Sequence, residues 1–288
     1  MEEVQRWRQA LTQVANIAGW DIRNKSQSAQ IGEIASENLE VIYIDCDLLL
    51  GTVRADGLSK IKHLKLLKLE DVKFSGNLNH LSNEIAYLNW KEYPFKCLPQ
   101  SFQPEKLVEL YLVRSSIERL WEGTKPLHNL KRLDLSYSED LVEMPDVREA
   151  LNLEKIELKG CIKLPKINPS IGLLKKLAFL NLGNCKNLVS LPNTILGLNS
   201  LEYMNVSGCS KLSQRNLVSY LLPSSPPLPS SLTCLRELDL SFCNLVQIPD
   251  AIGNIEHIGR VHAAGSGVDI PRFFGTSSHE YSAKESSQ

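Results

Sequence analysis

Cys161, Cys185, Cys209 and Cys243 follow one another at intervals of 24, 24 and 34 residues. A thiolate is a strong nucleophile and a soft metal ligand, so such a row raises two kinds of chemistry: a thiolate relay or a metal ladder. The surrounding sequence supports neither. No Cys-x-x-Cys pair occurs, and the six histidines do not cluster near the cysteines. A zinc site is therefore not expected. The alternative is structural: a small, apolar, weakly donating thiol buried at one recurring place. Seven cysteines, an odd number, suit free thiols in a reducing compartment.

What would bring the four thiols to one place is a repeat. "LKRLDLSYSEDLVEMP" from Leu130 and "LRELDLSFCNLVQIP" from Leu235 are nearly the same phrase. Aligned on Leu-x-x-Leu-x-Leu, nine units start at Leu64, Ile85, Leu107, Leu130, Leu153, Leu177, Leu201, Leu235 and Ile258. Recurrence at this period with this pattern is the signature of leucine-rich repeats. Counting the first leucine as offset 0, offsets 3 and 5 alternate with polar residues, which is strand periodicity. One short strand per repeat stacks beside the next, and the inward leucines share one core that no single repeat can bury alone. The four cysteines all fall at offset 8, where such repeats take Asn or Cys turned toward the backbone of the neighbouring loop.

The units close on an apolar residue and proline: Leu98-Pro99, Met144-Pro145, Leu191-Pro192, Ile248-Pro249 and Ile270-Pro271. Proline cannot donate to a ladder, so it fits the irregular outer side of the coil. "SIG" at Ser170, "TILG" at Thr194 and "AIG" at Ala251 predict a short helical turn there. The expected fold is α/β: a leucine-rich repeat solenoid with parallel strands on the concave face, an irregular or short-helical convex side, and a short helical N-terminal segment.

The expected organisation has four parts. Residues 1–36 form the helical segment, with Val4, Trp7, Leu11, Val14 and Ala18 on one face and Gly19 as a C-cap. Residues 37–63 are a junction, where "VIYID" at 41–45 reads as a strand leading into the repeats. The repeats occupy 64–272, interrupted by a Pro/Ser-rich insertion at 213–231. Residues 273–288 are polar, Ser-rich and expected to be disordered.

The 288 residues are 43% hydrophobic and 23% charged, with a formal net charge of −1. That balance gives no electrostatic case for nucleic acid or an anionic membrane. There is no apolar run of spanning length and no signal-peptide h-region at the start, so an intracellular, cytoplasmic protein is expected.

Residues 88–146 go beyond a generic repeat. Trp90, Tyr93-Pro94, Leu98-Pro99 and "IERLWEG" from Ile117 to Gly123 resemble the start of the repeat domain in plant TIR-type nucleotide-binding leucine-rich repeat immune receptors. "NLEVIYID" and "LSKIKHLKLLKL" resemble the junction into those repeats. "WRQALTQVANIAGWDIRN" at 7–24 looks like the final TIR helix, and "QIGEIASE" like the linker after it. In that family a nucleotide-binding module separates the two pieces. Here about a dozen residues do, and no Gly-x-x-x-x-Gly-Lys-Ser/Thr phosphate cradle occurs. The resemblance implies a truncated or rearranged relative without the activities of the missing modules.

No nucleophile–base–acid constellation follows from spacing, so neither an enzyme nor a cofactor is expected. The surface carries the functional reading. Outward strand residues at offsets 2 and 4 line the concave face, and the residues assigned to protein binding are Tyr87, Tyr111, Asp134, Glu157, Phe179, Asn181, Tyr203 and Asp239. Phe179 with Tyr203, and Tyr87 with Tyr111, are aromatic pairs in adjacent repeats, the type of residue that anchors interfaces. The resemblance implies a protein partner, either a pathogen protein or another receptor domain. The Trp7 and Leu11 face is free to dock on the first repeat or to mediate self-association. Two alternatives stand beside this reading. One is an unrelated intracellular repeat adaptor. The other is an extracellular receptor, for which only the sequon Asn205-Val-Ser207 speaks.

Overall fold

The computed structural model describes residues 40–45, 52–70, 72–212, 232–244 and 258–265. The N-terminal helical segment, the 213–231 insertion, the 273–288 tail, Ile248-Pro249, Ile270-Pro271 and the turn at Ala251 lie outside the described residues.

Among the described residues twelve strands are formed: β1 (Val41–Asp45), β2 (Thr52–Arg54), β3 (Leu66–Glu70), β4 (Lys73–Ser75), β5 (Tyr87–Trp90), β6 (Glu109–Tyr111), β7 (Arg132–Asp134), β8 (Lys155–Glu157), β9 (Phe179–Asn181), β10 (Tyr203–Asn205), β11 (Glu237–Asp239) and β12 (Arg260–His262). Ten of them make one sheet in the order β1-β3-β5-β6-β7-β8-β9-β10-β11-β12, and β2 pairs with β4 in a small second sheet. All pairings are parallel. The register matches equal offsets across rungs: Leu110 faces Leu133, Leu133 faces Ile156, and Ile156 faces Leu180. "VIYID" is a rung ahead of the nine units, with Val41 opposite Leu66.

The core is the stacked leucine column. Leu107, Leu110, Leu112, Leu130, Leu133, Leu135, Leu153, Ile156 and Leu158 are each 1% exposed or less. Removing such a side chain from water stabilises the fold by about 2 kcal/mol, and the gain needs the neighbouring rung. On the far side of the coil, 3-10 turns cover Pro169–Leu173 and Asn193–Gly197, where "SIG" and "TILG" placed them. Asn168 caps the first, accepting from the Ser170 N–H.

Of the residues that carried the family resemblance, Trp90, Tyr93, Leu98, Ile117, Leu120 and Trp121 are core residues. Trp90 and Tyr93 are fully buried, with ring centroids 4.9 Å apart and edge-on at 89°. Phe74 and Phe95 close the cluster. The Tyr93 hydroxyl donates to the Cys97 carbonyl at 2.9 Å.

Candidate protein interface

Three residue positions hold strand ends along the array and thereby aim the sheet face. At offset 8 the thiol of every row cysteine donates to the offset-5 carbonyl one rung back. Cys161 reaches Leu135 at 3.2 Å, Cys185 reaches Leu158 at 3.1 Å, Cys209 reaches Leu182 at 3.1 Å and Cys243 reaches Val206 at 3.0 Å. Ser138 makes the same bond to Leu112 at 3.0 Å. All four thiols are buried. Burial pushes the Cys161 thiol up to about 12 and the Cys243 thiol up to about 11, and raises those of Cys185 and Cys209. These are protonated donors, the opposite of an activated thiolate. Among the described residues no group of three or more His, Cys, Asp or Glu side chains is placed to hold a metal ion.

At offset 7 the backbone is left-handed in every unit from Ile85 onward. Glu92, Arg114, Tyr137, Asn184 and Phe242 have φ between 56° and 60°, and Gly160, Gly208 and Gly265 have φ between 66° and 75°. The twist lets the offset-7 N–H reach the next rung, as Tyr137 does to Lys159 O at 2.6 Å and Gly160 to Gly183 O at 2.7 Å. Tyr137 and Phe242 are exposed at this rim. Their rings lie over Gly160 and Gly265, where an added Cβ would come within 2.6 and 2.5 Å.

At offset 4 the side chains bond to their own chain. Asp134, Asn181, Asn205 and Asp239 accept from the N–H two residues on, at 2.7 to 3.0 Å. This is the Asx turn, favoured by the short reach of these side chains. Asn205, the sequon residue, is 9% exposed, and its amide also donates to the Tyr203 hydroxyl at 3.3 Å.

Two side-chain groups on the sheet face hold the assigned aromatic residues. The first joins Tyr87, Glu109, Tyr111 and Arg132. The Tyr87 and Tyr111 rings are 5.7 Å apart. The Tyr111 hydroxyl donates to Glu109 at 2.7 Å, and Arg132 lies 3.7 Å from the same carboxylate. Glu109 is 4% exposed and Leu66 6%, so these offset-2 residues are covered rather than outward-lining. Burial, then the Glu109 hydrogen bond, raises the Tyr111 phenol.

The second group is a row in strict register: Lys155, Phe179, Tyr203, Glu237, Arg260. Phe179 and Tyr203 stack with centroids 4.4 Å apart and planes at 7°. The Lys155 ammonium sits over the Phe179 ring at 4.3 Å and pairs with Glu157 at 3.0 Å. Glu237 lies 3.4 Å from the His262 imidazole. Thus Glu157, Phe179 and Tyr203 come together, Tyr87 and Tyr111 form a separate patch, and Asp134, Asn181 and Asp239 hold turns beside them. Sequence spacing missed Lys155 and Glu109 as organisers. Their offset-2 positions were visible, but which neighbour each would meet was not.

Parallel rungs with an inward leucine column, an offset-8 donor ladder and 3-10 turns behind define a leucine-rich repeat solenoid. The Leucine Rich Repeat family profile matches residues 106–125. Internalin C2 of Listeria monocytogenes shares the fold, with a TM-score of 0.51 and 15% identity over 70% of this chain and 81% of that one. Among curated proteins, the chain is 36% identical over 222 residues to Disease resistance protein RPP2A of Arabidopsis thaliana, covering 74% of this chain and 17% of that protein. It is 37% identical over 174 residues to Disease resistance protein RPP4 of the same plant, covering 60% of this chain and 15% of that protein. The chain therefore spans less than a fifth of the length of these relatives. Among the described residues no helix is long and apolar enough to cross a membrane.

Proposed function

We propose that this chain is a non-catalytic recognition module of an intracellular plant disease-resistance receptor. It docks a protein, either a pathogen product or another receptor domain, on the open face of its sheet. The observation that carries the reading is the Phe179–Tyr203 stack, a half-buried aromatic pair set among polar side chains on the seventh and eighth rungs of the main sheet. Aromatic anchors of this kind concentrate binding energy. The similarity to plant disease resistance proteins supports the setting.

The test is affinity capture from plant cells with wild type and the Phe179→Ala/Tyr203→Ala double variant. The stack contributes only about 1 kcal/mol beyond its area, so the double variant should remain folded. Loss of a partner retained by wild type is expected; equal retention would sink the reading.

The TIR-like segment at 7–24 supplies a second proposal, made from sequence alone. Its Trp7 and Leu11 face pairs two copies of the chain. Trp7→Asp should lower the mass seen by size exclusion, and an unchanged mass argues against pairing.

A further inference from the structure

Within the row on the sheet face, charge is distributed unequally about the aromatic pair. One end is complete: the Lys155 ammonium covers Phe179 at 4.3 Å, steadied by Glu157 at 3.0 Å. Phe179 in turn covers one face of Tyr203. The other face of Tyr203 turns toward β11, where its register partner is Glu237. Asp239, two residues along the same strand, adds a second carboxylate. The resident group at Glu237 is the His262 imidazole at 3.4 Å, which carries charge only when protonated. Arg260 lies on the far side of Glu237 from Tyr203. It makes no ion pair among the described residues. The position that Lys155 holds beside Phe179 is thus taken, beside Tyr203, by a carboxylate in place of a cation.

We infer that the face of Tyr203 turned toward Glu237 receives an arginine side chain from the partner protein. This inference rests on the sheet face being the docking surface and names the partner's chemistry there. A cation over a tyrosine ring is attracted by the ring's quadrupole. A guanidinium is planar, so it stacks on the ring while its edge donates to a carboxylate. Tyr203 supplies the platform and Glu237 the acceptor. An acidic partner segment would meet Glu157, Glu237 and Asp239 and be repelled.

Calorimetric titration of the full chain with tetra-arginine, tetra-lysine and tetra-glutamate peptides tests this. Tetra-arginine should bind, more tightly than tetra-lysine, and tetra-glutamate should not. Tyr203→Leu and Glu237→Gln should each weaken tetra-arginine by about tenfold. Glu237 is at the surface, so its variant keeps the test valid should Tyr203→Leu fail to fold. Equal binding of tetra-glutamate, or an unchanged affinity in the folded variants, overturns the inference. If the peptides behave so while the Phe179→Ala/Tyr203→Ala variant still loses its cellular partner, the interface stands and only the arginine assignment falls.

Discussion

The Cys209 thiol donates to the Leu182 carbonyl across 3.1 Å, bridging two rungs whose strands have already ended. The bond ties one coil to the last at a point the sheet ladder does not reach. Cys209→Val removes one of two donors to that carbonyl, the other being the Cys185 N–H at 3.2 Å, at a cost of about 1 kcal/mol. Cys209→Ser keeps a donor, as Ser138 does with Leu112 at 3.0 Å, and should cost less. Urea unfolding of the two variants should rank them in that order.

The same burial sets a pH limit. The Cys161 thiol is raised from 9.0 to about 12 and the Cys243 thiol from 9.0 to about 11. Above 9.0 the unfolded chain sheds these protons while the folded chain keeps them. Stability contributed by the neutral thiols is therefore complete below that value and lost as pH rises toward 11 and 12. Urea midpoints should fall above about pH 9. The fall should be shallower in Cys161→Ser.

At the rim, Gly160 holds φ +75° beneath the Tyr137 ring. Gly160→Ala meets both a left-handed backbone penalty, about 1–2 kcal/mol, and a clash with the ring. In a Tyr137→Gly background the clash disappears and only the backbone penalty should remain. Tyr137→Gly alone should be close to neutral, because Gly208 already occupies the equivalent left-handed site at φ 69°. A double-mutant cycle of thermal or urea stability measures the coupling; strict additivity would contradict the contact.

Asp134 and Asp239 sit on the proposed docking face but also hold turns. Asp239→Ala should cost about 1 kcal/mol through the lost turn acceptor. Asp134→Asn should leave stability unchanged, since Asn181 and Asn205 make the same bond. If Asp134 contacts the partner through its charge, Asp134→Asn weakens capture without moving the urea midpoint. If the turn alone matters, capture is unchanged.

The rungs were legible because strand periodicity and repeat length reinforce each other. Leu133 and Leu135 could face only the core once Arg132 and Asp134 faced away. The thiol position was legible for a similar reason: four chemically alike residues fell at one offset. Ser138 shares their ladder yet escaped notice, because a serine in a polar stretch looks like solvated surface. The left-handed rim was signalled by Gly160, Gly208 and Asn184 at offset 7, then hidden where Tyr137 and Phe242 occupy the same conformation. The Asx turns read as ordinary polar face, since a side chain that bonds to its own backbone has no distinctive spacing. Glu109 was hidden most completely. Its burial depends on Tyr111 and Arg132 closing over it from two rungs, and a one-dimensional pattern does not record lateral packing.

Strand order follows chain order without exception in the main sheet, and this has a mechanical consequence. Each rung is fastened only to its immediate neighbours, so the array behaves as a leaf spring rather than a block. A small rotation at every junction sums along its length, so a load placed on one rung is shared among its neighbours rather than taken by a single junction.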